Sequence, residues 1–412
     1  MSNNHHFDII IVGAGASGLM AAVQASDRNL NVLVLEHQPK AGVKILSTGN
    51  GRCNLTNSDM SAKYFRCDDP LFFRPALKAF SEQDTLRFFE ERLHLFCKEK
   101  NGYWYPRSNQ ATAVREALLS GCRENGVLIR RNAQIRDITK KDGRFRFRTD
   151  KETYSAAACI LCCGGKAFPK SGSDGSGYRL AKVFGHSIVK PLPALMALYS
   201  DRSELFALAG VRAFGKVSLV VNGSHVITDE GELQFTDYGI SGIPVFQISR
   251  YAAIALHKKE QVSVVIDLIP EMPKEELERY LSDGCKGQAM KTDDRLRVLL
   301  NGLLPQKITA FLLEQKTDTL SERIRQISGE IKHLSVPVVK TASFTQAQTT
   351  TGGVRVSEID PDTMGSRLED GLYFAGELID IDGACGGYNL QWAWSSGTLA
   401  ANSAAAYVRE RN

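Results

Sequence analysis

The start of the chain alternates between apolar strands and a helix. Residues 7–12 are apolar and β-branched, as in a buried strand, and residues 19–25 follow with a helical pattern. A second apolar strand at 31–35 ends at Glu36, and a glycine-rich turn at 13–18 joins the first strand to the helix. The pattern predicts a βαβ unit, the building block of a parallel sheet.

The next 130 residues or so alternate between helical and strand-like patterns. The predicted elements are helices at 71–98 and 111–123, a β-meander at 130–160 and a small apolar strand at 156–163. Within the meander, Phe145 and Phe147 should face one side of the sheet and the neighbouring arginines the other.

The character of the chain changes near Pro191-Leu-Pro193. Strands at 216–221 and 261–268 precede a charged helical stretch at 271–333, and the chain then returns to glycine-rich loops, a strand at 371–375 and a helix at 391–409. We therefore expect an α/β protein in which a dinucleotide-binding domain is interrupted by a β-rich part and a helical part. The expected division is 1–190, 191–270, 271–340 and 341–412.

Composition narrows the class of protein. The 412 residues exceed one ordinary core, and 43% hydrophobic and 24% charged residues are typical of globular proteins. No apolar run reaches the roughly eighteen residues of a membrane span, and the polar start predicts no signal peptide. Nine scattered cysteines, an odd number, favour the reducing cytoplasm. A net charge of +5 permits an anionic partner without requiring one.

The turn at 13–18 has the spacing of a dinucleotide-binding fingerprint. Gly13 permits a tight turn, Gly15 lets the backbone approach a pyrophosphate, and Gly18 allows the helix to pack closely on the strand. Glu36, 18 residues after Gly18, is placed to accept hydrogen bonds from ribose hydroxyls. The context of strand, turn, helix and strand predicts an ADP-containing dinucleotide.

Two distant glycine-rich segments favour FAD over a dissociable nicotinamide. Residues 42–57 offer glycines, Lys44, Arg52 and several amides, and residues 376–389 have similar chemistry. A cofactor contacted by both segments would be long and buried, as FAD is. The alternative is that both segments are ordinary glycine-rich loops.

These motifs resemble the BaiN/RdsA (HI0933-like) family of FAD-dependent flavoproteins. The matching segments occur in family order: 13–18, 44–57 with its Gly-Asn-Gly-Arg-Cys-Asn core, 164–165, 232–242, 351–354, 371–380 and 382–391. The resemblance implies a Rossmann-like FAD-binding domain interrupted by a β-barrel-like insert and a helical subdomain. It also implies reduction of a carbon–carbon double bond, in one branch of a steroid or bile-acid enone and in another of a uridine in ribosomal RNA.

The motifs and the resemblance together predict the site residues. The expected cofactor-binding residues are Gly13, Ala14, Gly15, Ala16, Ser17, Gly18, Glu36, His37, Lys44, Gly51, Arg52, Cys53, Asn54, Gln134, Cys163, Gly164, Gly376, Glu377, Asp382, Gly387, Tyr388, Asn389 and Leu390. The reduction needs a hydride from the flavin and a proton from an acid. Tyr388 or Cys385 could donate that proton, and Asn54 or Asn389 could hydrogen-bond the ring; alternatively, all four only hold FAD.

The source of electrons is expected to be NAD(P)H, reaching the flavin transiently. No second strand-GxGxxG-helix unit occurs, and Gly164-Gly165 lacks the third glycine. No cluster of Cys and His has zinc spacing, so we expect no metal. Cys159 and Cys162 lie on an apolar strand and are expected to be buried core thiols.

A basic run leaves the substrate open. Eight Lys and Arg between Arg130 and Arg148 could form a solvated sheet face or could contact RNA phosphates. We favour a small-molecule enone, with ribosomal RNA uridine as the alternative. A flavin-binding protein without turnover is a further alternative, disfavoured because the loops are rich in groups that can donate protons and hydrogen bonds.

Overall fold

The computed structural model describes residues 5–286, 291–314 and 317–411, and the chain divides into two compact units. The first unit is assembled from two stretches, Met1–Pro191 and Thr349–Asn412, and the second is Leu192–Gln348. The sequence pattern separated a β-rich part from a helical part near residue 270, whereas both lie within the second unit. The division into four parts therefore stays a prediction.

The strands and helices of the described residues alternate along the chain. The strands are β1 (His5–Val12), β2 (Val32–Leu35), β3 (Thr56–Asn57), β4 (Phe65–Arg66), β5 (Cys97–Lys100), β6 (Tyr103–Pro106), β7 (Leu128–Arg130), β8 (Ile135–Lys141), β9 (Arg144–Thr149), β10 (Thr153–Leu161), β11 (Leu192–Ala194), β12 (Leu198–Tyr199), β13 (Arg212–Val221), β14 (Ser224–Thr236), β15 (Gly239–Gly242), β16 (Val262–Asp267), β17 (Leu334–Pro337), β18 (Lys340–Thr341), β19 (Thr349–Thr351), β20 (Leu372–Phe374) and β21 (Asp382–Gly383). The helices are α1 (Ala16–Ser26), α2 (Arg74–Ala79), α3 (Glu82–Arg87), α4 (Ala111–Glu124), α5 (Ser176–Val183), α6 (Ile243–His257), α7 (Lys274–Gly284), α8 (Thr292–Asn301), α9 (Gln306–Leu313), α10 (Leu320–Lys332) and α11 (Tyr388–Arg411). Among the residues described, no helix has the length and apolar character needed to cross a membrane.

The first unit is built on a mostly parallel sheet. Its strands run in the order β7-β2-β1-β10, and β20 pairs with the end of β10. Ile9, Ile10 and Ile11 of β1 are fully buried, because both faces of a parallel sheet are covered. This is the expected Rossmann-like α/β fold, and the carboxyl ends of β1, β2 and β10 form the edge where such folds bind ligands.

The predicted meander extends this sheet in antiparallel fashion through β9 and β8. Phe145 and Phe147 are fully buried, while Arg146 and Arg148 are exposed. The predicted alternation of side chains is confirmed, since successive residues of a strand point to opposite faces.

The prediction of one helix over residues 71–98 is wrong. The segment forms α2, α3 and a π-helical turn at Phe88–Arg92 before β5 begins. Ser81 interrupts the helix because its hydroxyl accepts from the Asp84 backbone N–H, while the Asp84 carboxylate accepts from the Ser81 N–H. This capping box starts a new helix where the periodicity of Phe and Leu suggested continuation.

The long helix α11 packs closely on α1. A Cβ atom at Gly397 would lie 2.6 Å from the Ser17 carbonyl oxygen, so glycine permits the close approach of the two helices. The helix begins at Tyr388, three residues before the predicted start at Gln391.

The second unit contains an antiparallel sheet in the order β17-β16-β13-β14-β15-β12-β18. The Val338 N–H donates to the Val262 carbonyl in β16, near one end of this strand order. The Val339 N–H donates to the Tyr199 carbonyl in β12, near the other end. Residues 338 and 339 thus join β17 to β18, the first and last strands of this order. This connection gives the sheet the expected barrel-like form. Helices α6 to α10 and this sheet share a hydrophobic core.

Candidate functional site

The three fingerprint glycines lie at the junction of β1 and α1. Gly13 has φ +101°, and a Cβ atom there would lie 2.5 Å from the Cys162 carbonyl oxygen. A Cβ atom at Gly18 would lie 1.9 Å from the Gly13 carbonyl oxygen. A Cβ atom at Gly15 would have no neighbour within 4 Å. Gly13 and Gly18 are therefore required for packing, and Gly15 borders open space at the positive N-terminus of α1, whose first residue is Ala16.

The Glu36 carboxylate closes this turn. One oxygen accepts from the Ala14 N–H at 2.8 Å and the other from the Gln38 N–H at 2.7 Å. Each carboxylate oxygen keeps a second lone pair that can accept from a ribose hydroxyl. The His37 imidazole lies between Glu36 and Asp174, with Nδ1 3.8 Å from the first carboxylate and Nε2 4.0 Å from the second.

Several buried polar atoms around these segments fit a polar ligand. They have no hydrogen-bond partner among the described residues: His37 Nε2, Asn54 Oδ1, Thr56 Oγ1, Ser173 Oγ and the Tyr178 hydroxyl. Buried polar groups are almost always hydrogen-bonded in folded proteins. The ribose hydroxyls, phosphates and polar ring edge of FAD would supply such partners, so the donor and acceptor set of the site fits FAD.

An ion pair joins two distant segments of the predicted site. Lys44 Nζ lies 2.6 Å from Glu377 Oε2, and Glu377 Oε1 accepts from the Thr350 N–H at 2.8 Å. The Thr350 hydroxyl in turn accepts from the Lys166 N–H at 2.8 Å. A Cβ atom at Gly165 would lie 2.4 Å from that hydroxyl. Sequence reasoning did not identify Thr350, although it lies in a run of threonines directly before two glycines.

The loop after Lys44 has an unusual backbone. Gly49, Asn50, Gly51 and Cys53 all have positive φ, between +53° and +81°. The Cys53 N–H donates to the Thr48 carbonyl at 2.9 Å, and the Cys53 side chain is buried in the core. Burial raises the pKa of this thiol to about 12, so Cys53 stays neutral and holds the loop.

Arg52 and Asn54 flank Cys53 in this loop. Arg52 is exposed, and its guanidinium carbon lies 5.3 Å from the centroid of the Tyr105 ring. Asn54 is half-buried and carries one of the unpartnered oxygens. Residues 376–390 are called the C-terminal loop below. Cys385, a predicted proton donor, is half-buried in this loop.

The C-terminal loop is shaped by two asparagines. The Asn389 side chain accepts from the Gly383 N–H at 2.8 Å and donates to the Gly383 carbonyl at 2.9 Å. Asn57 donates to the Gly386 carbonyl at 3.0 Å. The two loops predicted to contact the flavin therefore lie against each other, and the Asn389 side chain serves the loop conformation.

The remaining predicted residues of this loop lie near its two ends. Asp382 is fully buried in β21, which pairs with β4. Gly387 has φ +97°, and a Cβ atom there would lie 2.8 Å from the Thr56 carbonyl oxygen. Leu390 is half-buried in the first turn of α11 and packs on the core. Close backbone packing thus explains the glycine at 387.

Tyr388 is the first residue of α11 and is 3% exposed. Its ring stacks on Tyr64 at 4.4 Å between centroids and meets Phe65 edge-on at 5.8 Å. Burial raises the pKa of the Tyr388 phenol well above its ordinary value of 10. The hydroxyl therefore stays protonated and can donate a hydrogen bond.

Gly376 connects this loop to α1. A Cβ atom at Gly376 would lie 2.5 Å from the Ser17 hydroxyl oxygen. Its N–H donates to the Ser396 hydroxyl at 2.9 Å, and its carbonyl accepts from the Trp392 ring at 3.0 Å. The predicted residue Ser17 therefore contacts Gly376, the first residue of the second predicted cofactor segment.

Three further predicted residues lie next to strands of the first unit. The Cys163 thiol donates to the Val12 carbonyl at 3.5 Å, and burial raises its pKa well above 9.0. Gly164 has φ +70°, and a Cβ atom there would lie 3.0 Å from the Ser173 hydroxyl. Gln134 is half-buried directly before β8. All three belong to the first unit, as does every other predicted site residue.

Four of the eight basic residues of this run pair with carboxylates, and a fifth, Arg144, donates to a backbone carbonyl. The contacts are Arg136 with Asp150 at 2.6 Å, Lys140 with Glu369 at 2.7 Å, Arg146 with Asp142 at 3.6 Å, Arg148 with Asp137 at 3.9 Å, and Arg144 with the Phe7 carbonyl at 2.9 Å. Paired charges offer less to RNA phosphates than free charges do. The arrangement therefore favours the interpretation as a solvated sheet face.

Comparison with protein families places the chain among known sequences. The family model described as "HI0933-like protein Rossmann domain" matches residues 7–403. A 3-dehydro-bile acid delta(4,6)-reductase of Clostridium scindens is 40% identical over 408 residues, 96% of this chain and 98% of that protein. A ribosomal RNA dihydrouridine synthase of Haemophilus influenzae is 30% identical over 400 residues, 94% of this chain and 96% of that protein.

A solved structure shares the fold. The 3-ketosteroid delta1-dehydrogenase of Sterolibacterium denitrificans superposes with a TM-score of 0.52 at 13% identity. The match covers 98% of this chain and 100% of the dehydrogenase. At this identity the similarity concerns the fold alone.

Proposed function

Because the chain belongs to the HI0933-like Rossmann family and is an FAD-dependent oxidoreductase, we propose that it reduces a conjugated carbon–carbon double bond of a steroid-type 3-oxo enone, such as a 3-dehydro bile acid. The observation that carries this proposal is the 40% identity, along 96% of the chain, to the bile-acid reductase. The ion-paired basic face supports a small molecule over RNA.

In this proposal the chain binds and orients both reactants. Open space beside Gly15, at the positive end of α1, suits a pyrophosphate, and Glu36 suits ribose hydroxyls. Asn54 and Thr56 would bind the polar edge of the ring through their unpartnered oxygens. Once reduced by the electron donor, bound FAD would supply the hydride that the β-carbon of the enone receives.

We propose that Tyr388 donates the proton that the α-carbon receives. Its hydroxyl is protonated, and Tyr388 directly follows Gly386 and Gly387, which contact Asn57 and Thr56. Tyr388→Phe should keep the stacking on Tyr64 and the FAD content, and should lower the rate of reduction on the order of 100-fold. A full rate in Tyr388→Phe with a large loss in Cys385→Ser would assign the proton to Cys385.

The electron donor in this proposal is NAD(P)H, binding transiently. The sequence contains one strand-GxGxxG-helix unit, so the nicotinamide would not have a Rossmann domain of its own. Anaerobic mixing of the holoprotein with NADH or NADPH should bleach the visible flavin absorbance. The rate of bleaching should be at least as high as the steady-state turnover rate of the enzyme. Absence of bleaching with both nucleotides would contradict this donor.

The substrate is tested by anaerobic mixing of the reduced holoprotein with a 3-oxo-Δ4 steroid acid. We expect rapid return of the oxidised flavin spectrum and a product heavier by two hydrogen atoms in mass spectrometry. The 30% identity to the ribosomal RNA dihydrouridine synthase motivates the second candidate. Slow reoxidation by the steroid acid, together with loss of one dihydrouridine from the ribosomal RNA of a deletion strain, would favour that candidate.

A further inference from the structure

The guanidinium of Arg52 has an unusual environment. Its Nε donates to the Gly49 carbonyl at 3.2 Å, and its carbon lies over the Tyr105 ring at 5.3 Å. Within the described residues, Arg52 makes no ion pair, and its two terminal NH2 groups have no hydrogen-bond acceptor. The side chain is thus oriented by one hydrogen bond and one aromatic face, and its strongest donors remain available to a ligand.

The backbone that carries Arg52 is fixed on both sides. Before it, Gly49 and Asn50 have left-handed φ values, and after it Cys53 is buried at φ +59°. Leu55 then donates its N–H to the Trp104 carbonyl at 2.8 Å and accepts from the Trp394 ring at 3.0 Å. Left-handed non-glycine residues persist only where their surroundings impose them, and they cluster at functional sites.

The neighbours of Arg52 are the groups expected to serve the reaction. Asn54, two residues away, has a buried oxygen without a partner in the described chain. Burial raises the pKa of the Tyr105 phenol, Arg52 opposes this shift and Cys385 adds to it, so both side chains lie near Tyr105. Arg52 therefore lies at the rim shared by the loop 48–54 and the C-terminal loop.

We propose that Arg52 is a substrate-binding residue that hydrogen-bonds the carbonyl oxygen conjugated with the reduced double bond, and that Tyr105 positions it. The inference rests on the proposed function and makes it more specific. When the β-carbon gains a hydride, negative charge develops on this oxygen, and when the α-carbon gains a proton the carbonyl is restored. The two terminal NH2 groups of a guanidinium can donate converging hydrogen bonds to such an oxygen, and the guanidinium always carries its charge.

This role differs from the role of a cofactor ligand, and the variant Arg52→Gln separates the two. We expect Arg52→Gln to retain FAD, as judged by the visible spectrum and the flavin-to-protein ratio. The anaerobic reoxidation rate with the enone should fall on the order of 100-fold. The Kd of the enone for the oxidised holoprotein, measured by calorimetry, should rise by a smaller factor, because the interaction is strongest in the transition state.

Variants at Tyr105 test the positioning. Tyr105→Leu removes the aromatic face and should lower the reoxidation rate on the order of tenfold, whereas Tyr105→Phe keeps the ring and should be closer to the unmodified protein. Arg87→Gln in α3 makes the same charge change at another exposed arginine and should leave the rate unchanged.

Two results with Arg52→Gln would overturn the inference. A reoxidation rate equal to that of the unmodified protein would exclude the role, and loss of FAD would make Arg52 a cofactor ligand. If the unmodified protein reduces a uridine instead, the same variants are measured with uridine, whose ring carbonyl is conjugated in the same way. If the unmodified protein reduces neither the enone nor uridine, the proposed function is wrong. The role of Arg52 is then also wrong, whatever the variants show.

Discussion

The three glycines of the fingerprint turn face different surroundings. The hydrogen that replaces a side chain at Gly18 points at a backbone carbonyl, and that of Gly15 points at open space. The fold of the protein thus requires glycine at position 18, whereas at position 15 we expect the ligand to require it. From the sequence, the roles of Gly15 and Gly18 are assigned by analogy with other fingerprints. The distances from an added Cβ atom to its neighbours give the physical reason for each glycine.

Alanine substitutions should separate the two requirements. Gly18→Ala should lower the free energy of unfolding of the apoprotein by about 3 kcal/mol, because the backbone cannot yield to the added Cβ. Gly15→Ala should change that free energy by less than about 1 kcal/mol but weaken FAD binding at least roughly tenfold. Urea unfolding of the apoproteins and FAD titration measure the two effects. Equal stability of both variants would contradict the assignment.

A buried histidine should make stability depend on pH. The His186 imidazole is fully buried, hydrogen-bonded to the Ser366 hydroxyl at 2.7 Å and 3.4 Å from the Glu358 carboxylate. Burial lowers the pKa of His186 below its ordinary 6.5, against the opposing effect of Glu358. The unfolded chain therefore binds the proton more readily, and stability falls as the pH drops from 6.5 through the lower pKa of the folded state.

His186→Gln should remove this contribution because glutamine can hydrogen-bond Ser366 but does not titrate. We expect the free energy of unfolding of the unmodified protein to decrease between about pH 7.5 and about pH 5.5 more steeply than that of the variant. Urea unfolding at both pH values measures the difference. Parallel slopes would show that His186 has the same pKa in both states.

At the scale of elements, the contact between α1 and α11 depends on small residues. Gly397 in α11 approaches the Ser17 carbonyl, whereas a Cβ atom at Gly329 in α10 would have no neighbour within 4 Å. The same substitution should therefore have opposite effects in the two helices.

Gly397→Ala should destabilise the protein by about 1–3 kcal/mol, because the new methyl group forces α11 away from α1. Gly329→Ala should stabilise it by about 0.5–1 kcal/mol, because alanine favours the helix and nothing obstructs it. Urea unfolding measures both, and the second variant is the control for the first. A destabilised Gly329→Ala would contradict the reasoning.

Elements with strong periodicity could be predicted from the sequence, and elements that depend on local capping could not. The βαβ unit and the meander followed from apolar runs and alternation, and their positions agree with the structure. The break between α2 and α3 depends on the two hydrogen bonds of the Ser81 capping box, which the spacing of Phe and Leu does not reveal.

The site shows the same limit. Glycines and charged residues in motifs were recognisable, and the structure brings Lys44 and Glu377 into an ion pair across 333 positions of sequence. Thr350 and Tyr105 were missed because their roles depend on tertiary contacts with Glu377 and Arg52. No spacing rule links residues that are brought together only by folding.

At the scale of the whole molecule, the first unit is continuous in space but not in sequence. Val189 and Gly353 exchange two backbone hydrogen bonds, at 2.8 and 3.2 Å, where the chain leaves and re-enters the unit. The two stretches share one hydrophobic core, to which β1, β10 and α11 all contribute. This hydrophobic core therefore contains none of the described residues of 192–348.

Replacing residues 192–348 by a short glycine–serine linker should leave a protein that folds and binds FAD. The reason is that the two backbone hydrogen bonds between Val189 and Gly353 hold the linker ends together and every predicted cofactor residue is retained. Flavin content after gel filtration and circular dichroism measure the outcome. A matched truncation after residue 348 should bind no FAD, and FAD binding by that truncation would contradict the assignment of residues 376–390 to the site.

The pairing of β20 with β10 has a consequence for biosynthesis. On the ribosome, β1, α1 and β10 emerge early, but β20 and α11 are translated only after residue 371. The second unit is complete by then, whereas the nascent first unit still exposes the apolar surfaces of β10 and α1 that these late elements cover. We therefore expect the polypeptide to bind its flavin only after most of its translation, and we expect prematurely terminated chains to be substrates for chaperones and proteases.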